Sequence, residues 1–303
     1  MSELTVFQKK MAGSFSGLEL RFREPMKKHT SFRIGGAAEV MAFPKTAEEL
    51  SALLKKSALW GIKPAILGAG TNVLAPDGGM DGLVICLKDC LDGIALEGDT
   101  HLRVAAGVTM TRAAMFAAKN GLAGLEFAHG IPGTVGGGVY MNAGAYGGEI
   151  SQVFCEGEIM DLQGNIHRVS LEDMDFSYRH SGLEDRGGVV VSVTFSLRGD
   201  DPEAVLGRIK DLMARRSASQ PLDLPSAGSA FKRPVGGYAA ALIQETGLKG
   251  FRVGDAAISE KHAGFAVNLG AATAEDVRSL LSQVSDRVYD KTGIRLEPEV
   301  RIW

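Results

Sequence analysis

The stretch Gly130-Ile-Pro-Gly-Thr-Val-Gly-Gly-Gly-Val-Tyr-Met-Asn-Ala-Gly-Ala-Tyr-Gly-Gly148 is too long for a turn and too apolar for a linker. Glycine lets a backbone take positive φ and approach a ligand closely. Successive unhindered N–H groups in such a run can form a concavity for a pyrophosphate. A second cluster, Gly68-Ala-Gly-Thr-Asn-Val-Leu74, follows a short apolar run that reads as a strand from Pro64 to Leu67. It starts like a dinucleotide fingerprint, but Val73 stands where the third Gly or Ala belongs, and loop residues follow instead of a helix. No Walker A sequence occurs. One cluster alone would be a tight turn. Two together fit a large flat cofactor with a diphosphate in its middle.

Around these clusters the chain is patterned throughout. Its 303 residues correspond to two domains or three small ones, at about 150 residues per domain. The composition, 45% hydrophobic and 23% charged, is that of a globular chain with a core, and a net charge of -3 does not suit a nucleic-acid binder. The three cysteines, Cys86, Cys90 and Cys155, are an odd and sparse set, which points to a reducing compartment. No apolar run approaches the ~18 residues of a membrane span, and Met1–Arg23 has no secretory pattern, so a cytoplasmic location is expected. The six histidines form no metal-ligand motif.

Residues 1–28 form a weakly patterned lead-in. Thr46-Ala-Glu-Glu49 reads as a capping box before a helix carrying Leu50, Leu53 and Leu54 and stopped by Gly61. Leu83–Leu87 and Leu102–Ala106 read as strands, and Thr109–Asn120 as a helix. Leu162-Gln-Gly-Asn165 reads as a hairpin loop, and Gly188–Leu197 as a half-buried strand. Asp201-Pro202 opens a long helix, with Val205, Leu206, Ile209, Leu212 and Met213 as its buried face. Thr273 caps a last helix with the stripe Val277, Leu280, Leu281, Val284 and Val288, and Ile294–Trp303 closes as a strand. The texture changes near residue 200, so the second part reads as a compact α+β domain of about 100 residues.

Eight segments occur in an order and spacing that resembles one family. They are Thr30-Ser-Phe-Arg-Ile-Gly-Gly36, the Gly68–Leu74 cluster, Glu126-Phe-Ala-His-Gly-Ile-Pro-Gly-Thr-Val-Gly-Gly137 and Met141-Asn-Ala-Gly-Ala-Tyr-Gly147. Phe176-Ser-Tyr-Arg-His-Ser181, Pro225-Ser-Ala-Gly-Ser-Ala-Phe-Lys-Arg-Pro234, Ile258-Ser-Glu-Lys-His-Ala-Gly-Phe265 and Leu296-Glu-Pro-Glu-Val-Arg301 complete the set. The chain resembles the UDP-N-acetylenolpyruvoylglucosamine reductases from about Thr30 to Trp303. The resemblance implies an α+β chain: a two-subdomain FAD-binding fold of the vanillyl-alcohol-oxidase (PCMH) type at 1–80 and 81–200, and a C-terminal α+β substrate domain at 201–303. It implies non-covalent FAD, NADPH as co-substrate and a small nucleotide sugar as substrate, with no nucleic acid, membrane or metal. Tyr178-Arg-His-Ser181 runs through Gly182–Gly188 into a strand, which leaves no room for the extra Tyr loop of one family type, so the chain is similar to the shorter type.

By the same resemblance Ser229, Arg179 and Glu299 are the catalytic residues. Gly68, Gly70, Thr71, Asn72, Gly133, Gly136, Gly137, Asn142, Gly144 and Arg301 contact the cofactor. Tyr146, Arg233 and His262 contact the substrate. Ser219 departs from the pattern, since relatives often carry Lys there. The N-terminal motifs alone also fit another FAD-dependent oxidase or dehydrogenase acting on a sugar or hydroxy acid. The Ser229 loop and the Leu296–Arg301 segment argue against that alternative.

Overall fold

The computed structural model describes residues 3–303, so the first two residues of the lead-in lie outside the described residues. The chain divides into two compact units that are interleaved in sequence. The first takes the stretch ending at Phe22, Val40–Ala69 and Gly82–Arg215; the second takes Arg23–Glu39, Gly70–Asp81 and Arg216–Trp303.

A four-stranded sheet has the order Glu19–Pro25, Ala37–Phe43, Met80–Cys86, Ala65–Leu67, and its last two strands pair in parallel from Ala65↔Val84 to Leu67↔Cys86. The helix Ala47–Leu59 buries Leu50, Leu53 and Leu54 completely. Thr46 Oγ1 accepts the Glu49 N–H at 3.2 Å, as a capping box requires. The reciprocal half differs: Glu49 Oε2 takes the N–H of Lys45 at 2.6 Å rather than that of the cap residue. Gly61, at φ +68°, turns the chain out of the helix.

A five-stranded antiparallel sheet has the order Ile166–Ser170, Phe154–Met160, Val189–Ser196, His101–Ala105, Ile94–Glu97. The first pair is closed by the expected hairpin, with Asp161 Oδ1 accepting the N–H groups of Gln163 (2.9 Å) and Asn165 (2.8 Å). Val189–Ser196 is not half-buried as its alternation suggested. It is buried from Val189 to Phe195, because it lies inside the sheet and is covered on both faces. The helix Met110–Lys119 is capped by Thr109 and ended by Asn120 and by Gly121 at φ +67°.

Pro202–Ser219 is the long helix expected, and Asp201 Oδ2 caps it by accepting the Ala204 N–H at 2.9 Å. Its buried face is shorter than the sequence pattern. Only Val205 and Ile209 are buried, packed on Ala118 and Ala123, whereas Leu206, Leu212 and Met213 stay half-exposed. The helix is anchored by its first half.

The second unit has a four-stranded antiparallel sheet in the order Ser226–Ser229, Phe265–Asn268, Ala256–Ile258, Arg252–Val253. The helix Ala274–Thr292 starts at a full Thr273/Asp276 capping box and ends at Gly293, φ +72°. It buries Val277, Leu280, Leu281, Val284 and Val288 in a core shared with Phe32, Ile34 and Leu74. Each such side chain contributes about 1.5–3 kcal/mol. Ile294–Trp303 is mostly irregular rather than one long strand. Only Arg301–Ile302 forms a ladder, in parallel with Val73–Leu74, because the partner strand has just those two residues.

Candidate active site

Within the first unit the two glycine clusters meet. A Cβ on Gly68 would stand 2.9 Å from Thr134 Oγ1, so only glycine lets the turn after Ala65–Leu67 lie against the second cluster. That cluster is not an open coil of free N–H groups. Val135–Tyr140 is a short helix, with Thr134 Oγ1 accepting the Gly137 N–H at 3.3 Å. Val135 N–H donates to Val108 O (2.8 Å) and Gly136 N–H to Ala106 O (2.9 Å). A Cβ on Gly136 would come within 2.9 Å of the Ala106 Cβ, so this glycine serves close packing. The donors left for an anion are elsewhere. Among the described residues the backbone N–H groups of Gly68, Ala69, Gly70 and Asn72 find no acceptor, and the turn is only partly exposed. Half-buried, undirected N–H groups on a glycine turn are what a diphosphate needs, so the residues present fit FAD.

The remaining first-unit candidates form a second group. Gly144–Ala145 and Gly148–Glu149 pair across the two-residue turn Tyr146-Gly147, with φ +54° and +87°. This is a primed turn, which prefers Asn-Gly. Tyr146 is held there in a strained backbone and is 46% exposed at the tip. Arg179 also has positive φ, +56°, in the turn Ser177–His180, and its Nη2 donates to Gly144 O at 3.0 Å. Backbone strain is thus kept at exposed Tyr146 and at half-buried Arg179, two positions where it costs about 1–3 kcal/mol each unless the surroundings hold it.

Within the second unit Ser229, Glu299, Arg301 and the Gly70–Asn72 turn are linked by backbone. Glu299 N–H donates to Ala230 O (2.9 Å), and Arg301 N–H donates to Asn72 O (3.0 Å). Asn72 Nδ2 donates to Glu299 O at 3.1 Å. The strand Ser226–Ser229 carries a register shift before Ser229, with Gly228 at φ +77°. The irregularity leaves Ser229 exposed between buried Ala227 and buried Ala230. Arg233 is exposed with its guanidinium 4.6 Å from the centroid of the Tyr238 ring. His262 Nδ1 accepts the Gly264 N–H at 3.1 Å, and burial holds the pKa below the ordinary imidazole value. The ring is therefore neutral near pH 7 with its proton on Nε2, a donor rather than a cation.

Sequence reasoning missed the residues that tie these parts together. Ser31 Oγ donates to Ser226 O at 2.6 Å, and Ser31 N–H donates to Gly70 O at 3.0 Å, so the segment Thr30–Gly36 pins the Gly70–Asn72 turn to the strand of Ser229. A serine in a matching motif was the only signal for it.

Comparison with known proteins gives the class first. Residues 38–170 match the family described as "FAD binding domain", so the first unit holds the core of a flavoprotein module in the α+β arrangement expected. Residues 220–303 match the family described as "UDP-N-acetylenolpyruvoylglucosamine reductase, C-terminal domain". A UDP-N-acetylenolpyruvoylglucosamine reductase from Lactococcus lactis subsp. cremoris is 43% identical over 94% of this chain and 95% of its own length. Another from Clostridium novyi is 44% identical over 97% and 95%. The crystal structure of UDP-N-acetylenolpyruvylglucosamine reductase from Thermus caldophilus superposes with a TM-score of 0.80 at 36% identity, covering 95% of this chain and 100% of that one. The chain belongs to the UDP-N-acetylenolpyruvoylglucosamine reductase family. Among the described residues no helix is long and apolar enough to cross a membrane.

Proposed function

We propose that this chain reduces UDP-N-acetylglucosamine enolpyruvate to UDP-N-acetylmuramate for peptidoglycan synthesis in the cytoplasm, with NADPH as reductant. Residues 1–80 and 81–200 serve the cofactor and 201–303 the substrate. FAD, when bound, supplies hydride transfer between NADPH and the enolpyruvyl double bond. The protein must do the rest. An enol ether is electron-rich and accepts hydride at C3 only if its conjugated carboxylate absorbs the charge. The enolate-like species then needs a proton at C2.

Ser229 Oγ gives that proton and is reprotonated from solvent. A hydroxyl is a weak acid, but a carbanion-like centre is a strong base. Arg179 fixes and polarises the substrate carboxylate, a task suited to a guanidinium fork. Glu299 is the third catalytic group, and its charge must be neutralised when substrate is present, since a bare carboxylate would repel an anionic ligand. Gly68, Gly70, Thr71, Asn72, Gly133, Gly136, Gly137, Gly144 and Arg301 line the cofactor, and Tyr146, Arg233 and His262 hold the nucleotide sugar. The observation that carries the reading is the exposed Ser229, set by a strand irregularity and followed by the Ala230 carbonyl that receives the Glu299 N–H.

An anaerobic spectral titration tests it. NADPH is expected to bleach the flavin, and the enolpyruvyl substrate is expected to restore its colour. Bleaching without recovery would leave the cofactor standing and sink the substrate.

Tyr146→Asn separates fold from function at the hairpin tip. Asn tolerates positive φ where Tyr does not, so the variant is expected to gain up to about 1 kcal/mol in urea denaturation. Its KM for the nucleotide sugar is expected to rise at least tenfold, in the manner of a lost contact. Unchanged KM would remove Tyr146 from the substrate site.

A further inference from the structure

We infer that Asn142 is a positioning residue for Arg179, not a direct cofactor contact. The inference rests on the role of Arg179 given above. Asn142 is 1% exposed, at φ +40°. Its side chain is fully engaged inside the first unit. Oδ1 accepts the Ser151 N–H at 2.9 Å, while Nδ2 donates to Ser177 O at 3.0 Å and to Glu149 Oε1 at 3.3 Å. Glu149 Oε1 is itself held by the Ser151 hydroxyl at 2.6 Å. Both amide hydrogens are used, so none remains for a ligand.

The carbonyl of Ser177 is the one that matters. It also accepts the His180 N–H at 3.1 Å, which closes the turn in which Arg179 takes positive φ. Such a turn prefers Gly or Asn at that place, so Arg179 stays there only if the surroundings hold it. Three bonds do so. Asn142 Nδ2 grips Ser177 O at the start of the turn. Ser181 Oγ, on a fully buried residue, donates to Tyr140 O at 2.7 Å just beyond its end. Arg179 Nη2 donates to Gly144 O between them. Segment 140–144 is thus a bracket for the turn 177–181, with Asn142 as its middle clamp. Loss of the clamp lets the turn relax toward negative φ at Arg179, which moves the guanidinium by a side-chain length. Displacements of about 1 Å already cost about a hundredfold in well-oriented sites.

The test uses FAD-loaded enzyme and compares Asn142→Gly, Ser181→Ala, Arg179→Lys and the Asn142→Gly/Arg179→Lys pair. Glycine keeps the positive φ of position 142 while removing the amide. Flavin affinity and flavin reduction by NADPH are measured beside reoxidation by the enolpyruvyl substrate. Asn142→Gly is expected to keep flavin affinity and reduction within twofold, and to slow reoxidation at least tenfold. The pair is expected to be no slower than Arg179→Lys alone. If Asn142→Gly fails to fold, Ser181→Ala carries the same expectation through the other bracket bond. Losses that multiply in the pair would overturn the inference, as would weaker flavin binding with normal reoxidation. If Arg179→Lys itself reoxidises normally, the role of Arg179 falls first, and that result is read independently of position 142.

Discussion

Ser229→Ala is expected to bind FAD normally and to be bleached by NADPH at the wild-type rate, yet to recover its colour with the enolpyruvyl substrate about 10²–10⁴ times more slowly. The size of the effect follows from what is removed. Position 229 is exposed, so no core is disturbed, and the buried anchors Ala227 and Ala230 remain. The Ala230 bonds to Glu299 and to Gly264 O are made by backbone and survive the change. Only the hydroxyl proton is lost. Stopped-flow absorbance of the two half-reactions is the measurement. Equal slowing of both would mean a damaged fold, and no slowing of the second would assign the proton to another group.

Gly70→Ala is expected to yield a protein purified without flavin. Gly70 has φ +63°, and a Cβ there would stand 2.0 Å from the carbonyl oxygen of His29 and 3.0 Å from the Thr30 Cα. The left-handed backbone costs an alanine about 1–2 kcal/mol, and the collision about 1–3 more. Relief requires moving either His29–Thr30 or the turn itself. Ser31 N–H is bonded to Gly70 O, so both would shift together and carry the Gly70 and Asn72 N–H groups out of place. Gly61→Ala is the control: its φ is +68° with nothing within 4 Å of the added methyl, so it meets the backbone cost alone. The ratio of flavin to protein absorbance after gel filtration, with a urea midpoint, separates the two. Gly70→Ala with full flavin and a midpoint equal to that of Gly61→Ala would show that the collision is harmless.

The elements legible in the sequence were those governed by local chemistry. Asp201-Pro202, Thr109 and Thr273 announce helices because a side-chain oxygen three residues before a free N–H is a short-range device. The apolar stripe from Val277 to Val288 holds because one long helix faces one core. The rest depended on partners far along the chain. No local rule puts three consecutive glycines in a helix, at about 1 kcal/mol each against alanine. Val135–Tyr140 is helical because Thr134 caps it and Ala106 admits Gly136 at a distance no side chain allows. Val189–Ser196 looked half-exposed because Ser192 and Thr194 alternate with valines, yet both polar residues are only 7% exposed and bonded inside the sheet. In the site, the matching motifs supplied the side chains proposed to react. The bonds from Asn142 and Ser31 were invisible, since Ser31 reaches a carbonyl 195 residues away.

The interleaving of the two units sets an order of events during folding. Phe32, Ile34 and Leu74 belong to a core whose other members lie at Ala227 and beyond. On the ribosome these early side chains wait, solvent-exposed, while some 150 residues of other chain are made. Closing loops of that length is slow compared with forming the first unit's hairpins. The second unit is therefore the late-folding half, and the Gly70–Asn72 turn matures only when Arg301 reaches Asn72. A refolding chain should regain its five-stranded sheet well before it regains flavin.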